Sequence, residues 1–342
     1  MLLRRPARAR GYIRPVSQRR ARLLVGLAAA AAAALVVGVT VLQAEDENAA
    51  PTTTAVERPP PPLELGLTLR DDPQAEALRE AERLLEEGER EAARARFEEL
   101  LAEDPESVEA AVGAAIAAWP DGTVSRLESL AAEEPASGLV LFHLGLARLA
   151  EGDRDAAVAS WEEAERVDPD SPAALRAEDV LHPEFAPGRP PFVAPLEAPP
   201  GLSALSPAEQ LAELERLARR GGAEERLRYG IALQRVGRPV SAREAFASAL
   251  EADPRSLPAQ VAAALGRFDK DDPSQAFSRL GPLADSDENG VVRYHLGLAL
   301  SWLGQVEEAQ RQLRLARDAD PDGFYGREAE RLLERLEDVD ST

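Results

Sequence analysis

The chain has no cysteine, a single lysine and only three histidines, and each shortage closes off a kind of chemistry. Without cysteine there is no disulfide, no thiol nucleophile and no thiolate metal site. His143, His182 and His295 are scattered along the chain, too few and too far apart in sequence to suggest an imidazole metal cluster. Aromatic residues supply only 4% of the chain, although 44% is hydrophobic. The interior must then be built largely of Ala, Leu and Val. That composition suits close-packed helices, because Ala has the highest intrinsic helix propensity.

Positive charge is also in short supply, and it is unevenly placed. The net charge is −21, yet residues 1–22 carry eight arginines and no acid. The rest is therefore strongly acidic, which repels nucleic acid at long range, so no nucleic-acid partner is expected. Residues 23–42 contain no charged side chain. That length crosses a hydrocarbon core of about 30 Å as a helix. Arginines precede the run and Glu45, Asp46 and Glu47 follow it. The positive-inside rule keeps the N-terminus cytoplasmic and sends the acidic body across the plasma membrane as a single-pass protein. A cleaved leader ending at Gln43-Ala44 fits less well, since leader apolar regions usually run about 7–15 residues. Gly26, Ala30, Ala34 and Gly38 form a small-residue stripe through which two such helices would pair as a homodimer. So Ala-rich a segment produces such stripes by composition alone.

Beyond the apolar run, the chain repeats itself. His143-Leu144-Gly145-Leu146-Ala147 returns as His295-Leu296-Gly297-Leu298-Ala299, 152 residues later. Asp-Pro pairs stand at 104–105, 168–169, 253–254 and 320–321, each after apolar residues at three-to-four spacing. That spacing predicts paired amphipathic helices. The unit ending at Pro169 contains Gly145, Ala157 and Trp161, and the unit ending at Pro254 contains Gly230, Ala242 and Phe246. The unit ending at Pro321 has Gly297 and Ala309, and the unit ending at Pro105 keeps Ala93 and Phe97. A small residue at mid-helix lets the pair approach closely, the aromatic or Leu four residues past the Ala is expected to fill the gap to the next unit, and proline closes the unit because it cannot continue a helix.

This pattern resembles the tetratricopeptide repeat, a helix–turn–helix unit of about 34 residues. Glu80-Ala81 stands where Leu-Gly is expected, so the opening helix of the first unit departs from the pattern. Weaker units at 107–135 and 257–288 complete two sets of three. Phe97 to Phe246 is an offset of 149 and His143 to His295 one of 152, so the second set carries a three-residue insertion. The expected fold is all-α: a helical-hairpin solenoid in two duplicated three-repeat modules, preceded by one transmembrane helix. The divisions are a basic cytoplasmic N-terminus (1–22), the transmembrane helix (23–42) and a Pro-, Thr- and acid-rich stalk (43–73). The first module with its cap helix follows (74–182), then a Pro-rich linker (183–206), the second module with its cap (207–338) and a tail (339–342). The arginine bias is that of GC-rich coding and points to an actinobacterium-like source.

Repeat arrays usually bind rather than catalyse. The two equivalent histidines are explained by the repeat template, and Glu162-Glu163 and Glu307-Glu308 by solvated helix faces. No nucleotide loop or serine elbow follows a predicted strand, so no enzyme, catalytic residue, metal or cofactor is expected. The resemblance implies a concave groove lined by the first helix of each unit. Its lining positions would be Phe142, Leu146 and Leu149 in one module, and Ile231, Gln234, Arg235, Tyr294, Leu298 and Trp302 in the other. The expected function is a membrane-anchored extracytoplasmic scaffold that binds proteins or peptides in the cell envelope. A chaperone-like holdase for exported chains and an accessory subunit of an envelope enzyme or cofactor-maturation complex are the alternatives. Phe185, Phe192, Val193 and Leu196 are apolar for a free linker, so part of 183–200 is expected to lie along a repeat surface.

Overall fold

A computed structural model of the protein describes residues 59–284 and 290–340; residues 23–42 and the Gly26/Ala30/Ala34/Gly38 stripe lie outside them. Among the described residues no helix is long and apolar enough to cross a membrane. Those residues form fifteen α-helices and no strand. The first module is α1 (Pro73–Glu86), α2 (Arg90–Glu103), α3 (Val108–Ala117), α4 (Thr123–Glu133), α5 (Gly138–Glu151), α6 (Arg154–Val167) and α7 (Pro172–Leu181). After the Pro-rich segment come α8 (Pro207–Arg220), α9 (Ala223–Arg235), α10 (Pro239–Ala252) and α11 (Leu257–Leu265). The chain then closes with α12 (Ser274–Ala284), α13 (Val291–Trp302), α14 (Val306–Ala319) and α15 (Phe324–Asp340).

Each helix packs closely on the next, except across the Pro-rich segment between α7 and α8. Within each module the odd-numbered helices also touch one another, which makes them one layer and the even-numbered helices the other. Local chemistry sets the helix starts. Each of Asp104-Pro105, Asp168-Pro169 and Asp253-Pro254 is followed two residues on by a serine that caps the next helix. Ser107, Ser171 and Ser256 accept hydrogen bonds from Ala110, Ala174 and Ala259, satisfying N–H groups the helix cannot. Gly152 holds φ at 96° in the turn between α5 and α6, a conformation that glycine adopts without steric cost.

Ala93, Phe97, Ala157, Trp161, Ala242, Phe246 and Ala309 are buried. Pro105, Pro169, Pro254 and Pro321 stand at exposed turns. A Cβ on Gly145 would lie 2.3 Å from the Trp161 ring, and one on Gly230 would lie 2.4 Å from that of Phe246. On Gly297 it would lie 2.7 Å from Leu313, so these helix pairs approach as closely as they do because no side chain intervenes. The unit that departs from the pattern is helped by its neighbour: a Cβ on Gly113 of α3 would lie 2.4 Å from Phe97.

Differences from the sequence reading appear at the ends of the modules. Helix α8 has no counterpart in the first module. It buries Leu214 and Ala218 and packs on α9, also touching the 3-10 turn Leu67–Leu69. The three-residue insertion falls between α11 and α12, and it delivers the buried Phe268 and Lys270. The larger correction concerns residues 61–67. Read as stalk, they are part of the first core, with Leu63, Leu65 and Leu67 buried among Leu78, Phe97 and Leu144. An alternating apolar pattern on so short a Pro-flanked run is too weak a signal to separate from a plain spacer.

Candidate functional site

Each module encloses an extended segment of its own chain. Residues 61–66 lie in the first, and residues 186–196 in the second. Pro61-Pro62-Leu63-Glu64 and Pro190-Pro191-Phe192-Val193 occupy matching places, with Pro61, Leu63, Pro190 and Phe192 buried. Burial of every second residue is what an extended backbone produces.

The two equivalent histidines hold these segments. His143 on α5 accepts the Glu64 N–H at Nε2 (3.1 Å) and donates from Nδ1 to the Leu139 carbonyl (2.8 Å). His295 on α13 accepts the Val193 N–H at Nε2 (3.1 Å) and donates from Nδ1 to the Val291 carbonyl (2.7 Å). A carbonyl can only accept and an amide N–H can only donate, so the partners fix both rings as the neutral Nδ1–H tautomer. Burial pushes the His143 imidazolium down to about 4, with the Leu139 carbonyl opposing only in part. The repeat template thus explains why the histidines recur. It does not say what they do, and the structure gives them a main-chain partner.

A second residue in each module reads the same backbone. Glu82 on α1 accepts the Leu65 N–H (2.9 Å), and burial raises its carboxyl despite that bond. In the second module Gln234 on α9, one helical turn beyond the position that matches Glu82, accepts the Phe192 N–H (3.0 Å) and donates to the Phe192 carbonyl (3.1 Å). An amide offers both a donor and an acceptor, whereas a carboxylate can only accept.

Side chains then distinguish the two. In the first module the Glu64 carboxylate meets Arg176 of α7 at 2.8 Å; burial raises the Glu64 carboxyl and the arginine opposes it. In the second, Phe192 stacks on His295 with ring centroids 5.0 Å apart and meets Phe246 edge-on at 5.6 Å. Trp302 donates from Nε1 to the Pro187 and Gly188 carbonyls, while its own carbonyl accepts the Ala186 N–H. Tyr325 of α15 donates to the Val193 carbonyl at 3.3 Å.

The positions expected to line open grooves have assorted fates. Phe142 and Leu146 are buried and Leu149 half-buried, packed with Ala173 and Ala177 of α7. Tyr294 and Leu298 are buried with Leu332 and Leu333 of α15, and burial pushes the Tyr294 phenol up to about 12. The cap helices cover both sets. Trp302 and Gln234 bind the linker, Ile231 is half-buried, and Arg235 is exposed at the edge of a cavity of about 530 Å³ beside residues 190–199. Sequence reasoning missed Glu64, Glu82 and Arg176. One signal would have pointed to the segment they hold: the recurrence of Pro-Pro-apolar at 61–63 and 190–192.

A polar junction joins the modules. Lys270 lies 2.5 Å from Asp179, and their side chains are 1% and 3% exposed. Arg189 makes a two-pronged pair with Glu178 (3.0 Å on each prong), and Gly188 N–H donates to Asp179. On the other side Asp170 accepts from Arg238 and from the Ser241 N–H. His182 contacts Asp271 at 3.2 Å and Glu184 at 3.5 Å. Burial and the nearby Glu178 and Asp271 carboxylates raise Glu165 to about 7.

Residues 139–171, spanning α5 and α6, match the family model for the tetratricopeptide repeat. The described residues thus form an all-helical array of stacked helix pairs, one pair of which matches that repeat, an architecture suited to protein–protein interaction. Two solved structures are similar to it at low identity. A thermophilic TPR protein from Thermus thermophilus is 22% identical, covering 56% of this chain and 98% of its own, with a TM-score of 0.28. A tetratricopeptide repeat protein from Parabacteroides merdae is 12% identical, covering 77% of this chain and 98% of its own, with a TM-score of 0.31. No curated protein gives a significant match.

Proposed function

We propose that the protein is a membrane-anchored scaffold of the bacterial cell envelope, presenting its two repeat modules on the outer side of the plasma membrane to other proteins. The observation that carries this is the combination of a helical repeat array with main-chain-reading grooves and the charge-free run 23–42 behind an arginine-rich N-terminus. The filled grooves favour a scaffold over a holdase. A holdase needs accessible apolar surface, and among the described residues Leu315, 45% exposed, is the large hydrophobic side chain left open. The non-enzymatic reading rests on the repeat class and on the two histidines being engaged by backbone.

Crosslinking in cells followed by co-purification tests the function. A discrete partner in fixed ratio is expected; a smear of unfolded clients would favour the holdase. Protease added outside an intact inner membrane tests the topology. Digestion of residues 45–342 with a protected fragment containing 1–42 is expected, and full protection of the repeats would reverse the orientation.

A further inference from the structure

We propose that the first groove is an exchangeable peptide site, whose ligand is an extended Pro-Pro-Leu-Glu-Leu-type segment of a partner protein and whose resident occupant, residues 61–67, is a competitor held in cis. This rests on the protein-binding reading above and gives it a ligand chemistry.

The ligand class follows from what the groove touches. His143 and Glu82 accept consecutive main-chain N–H groups, from Glu64 and Leu65, so the ligand must be extended there and cannot have proline at either position. Leu63, Leu65 and Leu67 bury their side chains, which sets an apolar residue at every second place. Arg176 faces the carboxylate between the first two, at 2.8 Å, which makes an acid the matching residue there. Prolines before this stretch lower the entropy lost on docking.

Why this occupant and not the other is replaceable also follows from the contacts. Residues 186–196 are tied at both ends to folded modules and are gripped along their length. Trp302, Gln234, His295 and Tyr325 hold the backbone, and Arg189 and Gly188 are fastened to Glu178 and Asp179. Removing them would dismantle the junction. Residues 61–67 run into the turn Leu67–Leu69 and α1, and are gripped by fewer side chains. Beyond His143, Glu82 and Arg176, Arg79 reaches the Leu67 carbonyl (2.8 Å) at the exit from the groove.

The test uses the full chain in detergent and a fluorescein-labelled peptide matching residues 59–68. Leu63→Asp with Leu65→Asp evicts the resident segment. Anisotropy should show this variant binding the peptide at least tenfold more tightly than the wild type does. Adding Arg176→Glu should abolish that gain, and a peptide with Glu64→Arg should restore it, a reversal that a purely structural role would not produce. An evicted chain with wild-type helicity that binds no more tightly would overturn the proposal. Should eviction unfold the module, hydrogen exchange on the wild type decides. The Glu64 and Leu65 amides should exchange at least tenfold faster than those of Phe192 and Val193, and equal protection would overturn exchangeability. A dimer with 61–67 crossed into a second copy would replace the partner protein by the chain itself and overturn the ligand assignment. Crosslinked partners retained by a chain that refuses the peptide would leave the scaffold standing and remove this site.

Discussion

The two grooves share a template and differ in how they hold what fills it. In both, a histidine made neutral by its surroundings accepts one N–H of a Pro-Pro-led strand at 3.1 Å. In the first, the remaining recognition is a carboxylate on one N–H and an ion pair at a half-buried glutamate. In the second it is an aromatic sandwich around Phe192, an amide that both gives and takes, and a strand that runs on into a buried lysine–aspartate junction. Hydrogen bonds to main chain set the strand's path in either groove and carry no side-chain specificity. The side chains set permanence. The same template thus forms a structural seam in one module and a simpler grip in the other.

The sharpest break should come at the seam. Phe192→Ala empties a fully buried site between His295 and Phe246 and should cost about 3–5 kcal/mol, read from denaturant unfolding. Leu63→Ala, at the matching place in the first groove, should cost about 2–3 kcal/mol. Equal losses would make the two strands alike in kind. Lys270→Ala leaves the buried Asp179 with only the Gly188 N–H and Arg176 at 3.7 Å, and should cost up to about 3–5 kcal/mol, whereas Lys270→Met together with Asp179→Leu should recover much of it. A loss no larger than that of an exposed pair such as Arg83–Glu87 would remove the junction from the comparison.

Acid should act on the first groove through His143. Its imidazole titrates near 4 in the fold against an ordinary 6.5, so the unfolded chain binds more protons between those values. Stability from this group is therefore complete above about pH 6.5, declines as pH falls towards 4, and accounts for about 3 kcal/mol over that window. Glu64, Glu82 and Glu165 have raised values and push the opposite way. The measurement is consequently the difference in pH slope between wild type and His143→Gln, whose side chain can accept the same N–H without titrating. No difference in slope would mean that water reaches the ring. The smallest effect should separate the two clamps: Gln234→Ala should cost about 1–3 kcal/mol and Glu82→Ala about 1 kcal/mol.

Much of the architecture was legible in residue order. Gly145 with Trp161, Gly230 with Phe246 and the Asp-Pro turns are local rules, satisfied within one or two helices, and a periodic pattern records them directly. The 149-to-152 change of offset even located the insertion that carries Lys270. The candidate site was legible only in fragments. Phe192 looked out of place in a linker, and His143 and His295 looked paired, but nothing in the order of residues joins 64 to 143 or 193 to 295. Those contacts span 79 and 102 residues and depend on the curvature of a stacked layer. Residue order settled the helical repeat and the acidic balance of the chain, because helix pairing and net charge depend on spacing and composition. Tertiary structure alone decided that the first groove is filled like the second, that the cap helices cover Phe142 and Tyr294, and that the histidines face backbone. Each of these is a choice among surfaces that fit equally well in isolation, and only the assembled stack determines which surface is within reach.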